Sequence, residues 1–189
     1  MHPHVCTRRS AINVTLRRGL TAAAVGALVL ATSYPLIAQA AVPPVVNQTP
    51  NQRITDVHDL YGVEIGPDGT LYASVWGAVH AYAPGAEADA APVRTIAGPS
   101  SGIVYAEDVE LGPDGLLYVA DYTAHSIHVF APDADGDVEP VRRIEGPSTG
   151  IAGPGALAVA PDGSTVLADY SSSTIRVFAP GADGDAEPI

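Results

Sequence analysis

Beyond residue 50 the chain is a succession of short apolar segments broken by turns that carry proline and glycine. Val109, Glu110 and Leu111 alternate apolar and polar, and Pro113, Asp114 and Gly115 close the segment with a reversal that proline and glycine set. Leu116 to Ala120 follows, rich in β-forming residues, then Asp121, a small polar loop, the alternating run Ser126 to Phe130, and Val141 to Ile144. The pattern predicts four short strands in succession. Helix is not predicted anywhere in this region, because proline or glycine interrupts every stretch long enough to show a 3.6-residue period.

The same pattern recurs. Arg94-Thr-Ile-Ala-Gly-Pro-Ser-Ser-Gly102 aligns with Arg142-Arg-Ile-Glu-Gly-Pro-Ser-Thr-Gly150 at an offset of 48 residues, and Phe130-Ala-Pro with Phe178-Ala-Pro at the same offset. Tyr82-Ala-Pro stands 48 residues before Phe130, while the turn at Gly66-Pro-Asp-Gly69 is displaced by two because the loop at Val75-Trp-Gly77 is shorter. Four antiparallel strands per unit of this length is the arithmetic of a propeller blade. The expected fold is therefore an all-β propeller, with three four-stranded blades over 50–93, 94–141 and 142–189, as part of a ring of about six blades. Val63, Ile65, Val109, Leu111, Leu157 and Val159, alternating on the innermost strands, are expected between blades.

Gly115-Leu-Leu-Tyr-Val-Ala-Asp121 with Ile127-His-Val-Phe130 resembles the NHL repeat of secreted bacterial propellers, and Val166-Leu-Ala-Asp169 with Ile175-Arg-Val-Phe178 repeats it. The first unit keeps Leu71-Tyr-Ala-Ser74 without the aspartate. Ala124 and Ser126, with Ser172 and Thr174 in the third unit, replace the family's loop Asn and Arg, so the resemblance is to a divergent relative. It covers residues 50–189 and implies a fold shared by many activities.

The first forty residues follow a different logic. Arg8, Arg9, Arg17 and Arg18 precede an apolar run from Leu20 to Ile37 that ends in Ala38-Gln-Ala40. Positive, apolar and small-residue regions in that order predict a signal peptide over 1–40, cleaved after Ala40, with 41–49 as a linker. Pro35 and the cleavage triplet weigh against a retained membrane anchor. Cleavage removes Cys6, the single cysteine, and leaves five arginines, no lysine and 21 acidic residues, a net charge of −16. Such a product is expected to be secreted. It repels phosphate backbones and anionic lipid, which removes nucleic acid and stable membrane insertion from the expected partners.

Candidate chemistry is sparse. Asp133-Ala-Asp-Gly-Asp137 and Gly181-Ala-Asp-Gly-Asp185 look like calcium loops, but the EF-hand places for glycine and glutamate hold Val138 and Ile144, so solvated turns are expected. Propeller lactonases resembling gluconolactonase hold a divalent metal at the starts of innermost strands. The corresponding residues here are Tyr61, Glu107 and Gly155, a set with one carboxylate, and no metal is expected. Glu64 and Glu110 occupy mid-strand positions where the third unit has Ala158. Tyr61, Glu64, Glu107, Asp108 and Glu110 are thus the candidate ligand-binding residues, as an acidic surface near the axis. The histidines are read as surface residues. The chain after residue 40 has no nucleophilic cysteine, acyl-transfer chemistry is not expected, and no cofactor is implied.

These features predict a secreted, non-enzymatic propeller module for an unidentified protein or small-molecule ligand, the alternative being a fragment of a metal-dependent propeller lactonase or lyase. Pro50 precedes Ile54 as Pro92 precedes Ile96 and Pro140 precedes Ile144, so the repeats open with an outermost strand. That phase suits either three blades of a longer propeller or a homodimer pairing three with three.

Overall fold

Each Pro-Asp-Gly triplet reverses the chain as its composition requires. The Gly66 N–H binds the Thr70 carbonyl at 2.8 Å and the Gly69 N–H the Gly66 carbonyl at 2.9 Å, while the Asp68 carboxylate accepts the Thr70 N–H at 2.9 Å and its hydroxyl at 2.9 Å. The computed structural model describes residues 54–55 and 57–189. The predicted signal peptide, linker and Pro50 lie outside the described residues.

Among the described residues, eleven strands form three antiparallel sheets in chain order. β1 (Leu60–Ile65), β2 (Leu71–Val75), β3 (Ala78–Tyr82) and β4 (Arg94–Ala97) make the first. The second comprises β5 (Ala106–Leu111), β6 (Leu117–Asp121), β7 (Ser126–Phe130) and β8 (Arg142–Ile144), and the third β9 (Pro154–Val159), β10 (Thr165–Asp169) and β11 (Thr174–Phe178). Where β4 and β8 begin, the Val93 and Val141 N–H groups bind the carbonyls of Ala81 and Val129. Ile189 binds the Val177 carbonyl in the same way at 2.8 Å. Helix among the described residues is confined to a single 3-10 turn, Pro147–Thr149. None of it is long and apolar enough to cross a membrane.

The innermost strands β1, β5 and β9 pack side by side, so the sheets follow one another as propeller blades. Alternation then assigns each side chain to one of two joints. Val79 and Ile96 of the first blade meet Val109, Leu117, Val119 and Phe130 of the second. Ile127, Val129 and Ile144 of the second meet Leu157, Leu167 and Phe178 of the third. Val109 is 1% and Leu157 7% exposed, as the alternation predicts, and Leu111 and Val159 are half-buried. Val63 and Ile65 depart from the expectation at 57% and 66% exposed, because no described sheet lies against that side of β1.

The acidic loops, expected to be solvated turns, are clasps between blades. Asp135 Oδ1 accepts the Thr95 N–H of the preceding blade at 2.9 Å, and Asp137 Oδ1 accepts the N–H groups of Ser100 and Ser101 at 2.6 and 3.3 Å. One blade on, Asp183 takes the Arg143 N–H at 3.0 Å and Asp185 the Ser148 N–H at 2.6 Å. Between the two aspartates, Gly136 and Gly184 make parallel bridges to Ile96 and Ile144. The clasp also explains the glycine that opens each Gly-Pro-Ser turn. Gly98 and Gly146 have φ of 113° and 127°, and a Cβ there would lie 2.6 and 2.5 Å from the carboxylates of Asp137 and Asp185.

Candidate functional site

At the edge where the innermost strands begin, four aromatic rings converge. Tyr61 lies at the start of β1, and Trp76 in the two-residue turn between β2 and β3, where Gly77 takes a φ of 72°. Tyr105 precedes β5 and Tyr122 follows β6. Tyr105 is the centre: its ring centroid is 4.6 Å from Tyr61, 4.9 Å from Trp76 and 5.8 Å from Tyr122, edge-on to the two tyrosines and tilted against the indole. Trp76 is 60% and Tyr61 39% exposed, so the cluster is an open aromatic surface rather than core.

The repeat scaffold holds this surface in place. Asp121, fully buried, accepts the N–H groups of Val104 at 2.6 Å, Tyr105 at 3.1 Å, Thr123 at 3.1 Å and Ala124 at 2.8 Å. The Tyr122 N–H returns to the Tyr105 carbonyl at 2.9 Å. Both tyrosines are therefore fixed at the backbone by the aspartate of the repeat. Asp169 does the same for the third blade, accepting Ala152 and Ser172 N–H at 2.7 and 2.9 Å. The first blade has Val75 at that place and uses buried Ser74, whose hydroxyl accepts the Gly62 N–H at 2.8 Å.

Burial raises the Tyr105 phenol above the ordinary tyrosine value, helped by the Tyr61 hydroxyl and the Glu107 carboxylate beside it. The neutral phenol of Tyr105 is thereby favoured.

The five candidates from the sequence separate into two groups. Tyr61 and Glu107 join the aromatic cluster. Glu64, Asp108 and Glu110 run along the inner strands, where burial, then Glu64 and Asp108, raise the Glu110 carboxyl above its usual range. Asp108 is raised by burial, against the hydrogen bonds it accepts from Leu157 and Val109. Its Oδ2 takes the Leu157 N–H of the next blade at 2.8 Å, so this carboxylate stitches β5 to β9. A Cβ on Gly62 would stand 2.6 Å from Asp108 Oδ1, which is the close approach that glycine permits on the other side. Trp76, Tyr105 and Tyr122 escaped the sequence reading. Trp76 and Tyr122 hold one place of the repeat, where the third blade has Tyr170, whereas Tyr105 departs from it, standing where the third blade has Gly153.

Tyr61, Glu107 and Gly155, the positions of the lactonase-type metal set, fall in equivalent irregularities of the three inner strands. They offer one carboxylate among them. Among the described residues, no group of three His, Cys, Asp or Glu side chains is placed to hold a metal ion. His128, expected at the surface, is 1% exposed, its Nε2 2.8 Å from the Ser126 hydroxyl and its ring stacked on Phe130. Burial, with the Arg143 guanidinium beside it, holds its pKa down to about 4. The pair is sealed from solvent and presents no nucleophile to a substrate.

No family model and no curated protein matches the chain. Solved structures do. A catalytically inactive virginiamycin B lyase from Staphylococcus aureus, crystallised with quinupristin, is similar at 16% identity and a TM-score of 0.48, over 69% of this chain and 46% of that one. A streptogramin B lyase is similar at 17% identity and 0.47, over 69% and 44%. A protein of unknown function from Bacteroides caccae is similar at 11% and 0.49, over 66% and 43%. The chain thus spans less than half the length of these structures.

Proposed function

We propose that this chain is a secreted, non-enzymatic propeller of divergent NHL-type blades whose aromatic surface binds a cationic group of a small molecule or a partner protein. One observation carries the reading: Tyr61, Trp76 and Tyr122 surround Tyr105 in the open, with Glu107 beside it. Aromatic faces attract cations through the ring quadrupole, by about 0.5–2 kcal/mol per contact, and a neighbouring carboxylate adds direct charge. The acidity of the chain, with 21 Asp and Glu against nine Arg, draws cations toward the surface. Secretion rests on the arginine, apolar and Ala38-Gln-Ala40 order of the N-terminal region.

The chain has a single tryptophan, and it lies in the cluster, so its fluorescence reports occupancy directly. Titration with tetramethylammonium should quench or shift Trp76 emission to saturation, and neopentyl alcohol, a neutral molecule of similar shape, should not. Equal responses to the two, or none to either, would refute the cationic reading.

A further inference from the structure

A cation that carries N–H groups needs acceptors as well as ring faces, and the carboxylates at the aromatic edge are engaged within the protein. Asp121 spends both oxygens on backbone N–H groups, Oδ1 on Thr123 and Ala124 and Oδ2 on Val104 and Tyr105. Asp108 gives Oδ1 to the Val109 N–H at 2.9 Å and Oδ2 to the Leu157 N–H at 2.8 Å. The Tyr105 carbonyl receives the Tyr122 N–H, and the Gly62 carbonyl the Ser74 hydroxyl at 3.4 Å. The Tyr122 hydroxyl is 3.3 Å from Ser171 Oγ. Glu107 remains, and its carboxylate lies against the Tyr105 hydroxyl, which the Tyr61 hydroxyl also meets.

That arrangement divides cations by class. A guanidinium brings five N–H donors and a primary ammonium three. Each donor turned toward the rings and away from water costs free energy unless an acceptor meets it. A quaternary ammonium has no N–H to satisfy, and its methyl groups carry the charge onto the ring faces while burying apolar area. The rings are set at angles to one another, 85° and 77° for the two tyrosine pairs and 37° for the indole. Their faces therefore look in several directions, which suits a rounded group better than a planar one. Charge sets a second limit. Arg94, Arg142, Arg143 and Arg176 are engaged with Tyr72, Tyr118, Glu145 and Asp169, not with the cluster. A phosphate or carboxylate attached near the cation would meet Glu107 with none of these arginines to offset it.

We infer, resting on the cationic reading above, that the group recognised is the quaternary ammonium of a small molecule with no phosphate or carboxylate attached, choline being the simplest. Tyr61, Trp76, Tyr105 and Tyr122 receive its methyl groups, and Glu107 balances its charge from beside Tyr105. The site draws on two blades, with Tyr61 and Trp76 from the first and Tyr105, Glu107 and Tyr122 from the second. It is therefore built at a joint that lies wholly within the chain.

Trp76 emission on the full chain, titrated at constant ionic strength with choline, methylammonium, methylguanidinium and phosphocholine, tests this. Choline should bring the signal to saturation, and the other three should bind at least about tenfold more weakly. Tyr105→Phe removes the hydroxyl that occupies Glu107 and should narrow the gap between choline and methylguanidinium to about threefold or less. Methylammonium or methylguanidinium binding the wild type as tightly as choline would overturn the inference and leave the cationic reading standing. So would phosphocholine binding equally well, or a gap that Tyr105→Phe leaves unchanged. Silence toward all four compounds would instead remove the cationic reading itself, and the inference with it.

Discussion

The outer rim and the inner aromatic edge of this propeller are built on opposite principles. At the rim the two joints repeat each other residue for residue: Asp135 and Asp137 grip one turn, Asp183 and Asp185 the next, through bonds of matching length. At the inner edge the repetition is partial, with an aromatic residue kept at Trp76, Tyr122 and Tyr170 while its neighbours change. Tyr61, Glu107 and Gly155 share one place in three blades, Tyr105 answers to Gly153, and Trp76 rides on a turn two residues shorter than its counterparts. Residues that recur have a joint to hold in every blade, so their roles are structural. Residues that do not recur are free to serve a ligand, which meets only one blade at a given place.

Asp121 links the two regions and gives the largest expected effect. It is a recurring residue, yet it fixes Tyr105 and Tyr122. Asp121→Ala breaks four partly buried N–H bonds to a fully buried carboxylate and should cost about 3–4 kcal/mol in denaturant unfolding. It should also abolish the Trp76 response, because the ring beneath the indole loses its anchor. Full cation binding in a folded Asp121→Ala protein would break the link between scaffold and site.

Next in size is a pH effect confined to the scaffold. His128 is buried with a pKa near 4, against an ordinary value of 6.5, so the unfolded chain takes up its proton more readily than the folded one. The stability that neutral His128 contributes is complete above pH 6.5 and declines as pH falls toward 4. The decline should amount to about 3 kcal/mol at most, and His128→Gln should flatten it. Unfolding midpoints measured across pH 4–7 on both proteins check this.

Smaller effects separate the rim clasps from calcium loops. Asp137→Ala should cost about 1–2 kcal/mol, since one of its hydrogen bonds is exposed and the other only partly buried, and calcium should leave the melting temperature of the wild type unchanged. A rise of several degrees with calcium would restore the metal reading. In the first blade the corresponding loop has Ala88 at the place of Gly136 and Gly184, with a left-handed φ of 54°. Ala88→Gly should therefore stabilise the chain by about 1 kcal/mol, seen as a higher unfolding midpoint.

The contrast also explains how much was legible in the sequence. Strand order, the Pro-Asp-Gly turns and the blade period were readable because Val109, Leu117 and Ile127 alternate under a period-two rule that burial enforces. The clasps were visible as acidic loops, but their partners lie 36 to 40 residues away in the preceding blade, and a local motif search sees only the loop. His128 was misplaced for the same reason: alternation alone does not reveal that a neighbouring blade closes over its face. Of the candidate site, Tyr61 and Glu107 were found by asking which positions face the axis. Tyr105 and Trp76 were missed because their convergence depends on turn geometry, through Asp121 and Gly77, and not on any spacing.

The measurement that bears most directly on this division of labour is made on Glu107→Gln, a non-recurring residue with no blade partner of its own. Its thermal midpoint and its affinity for tetramethylammonium, from Trp76 fluorescence, are read on one preparation. The account predicts a midpoint within about 2 °C of the wild type and binding weakened about five- to tenfold, roughly 1 kcal/mol for a carboxylate beside a cation. A midpoint lowered by many degrees with affinity unchanged would contradict it, and would place Glu107 with the clasps among the residues that hold the propeller together.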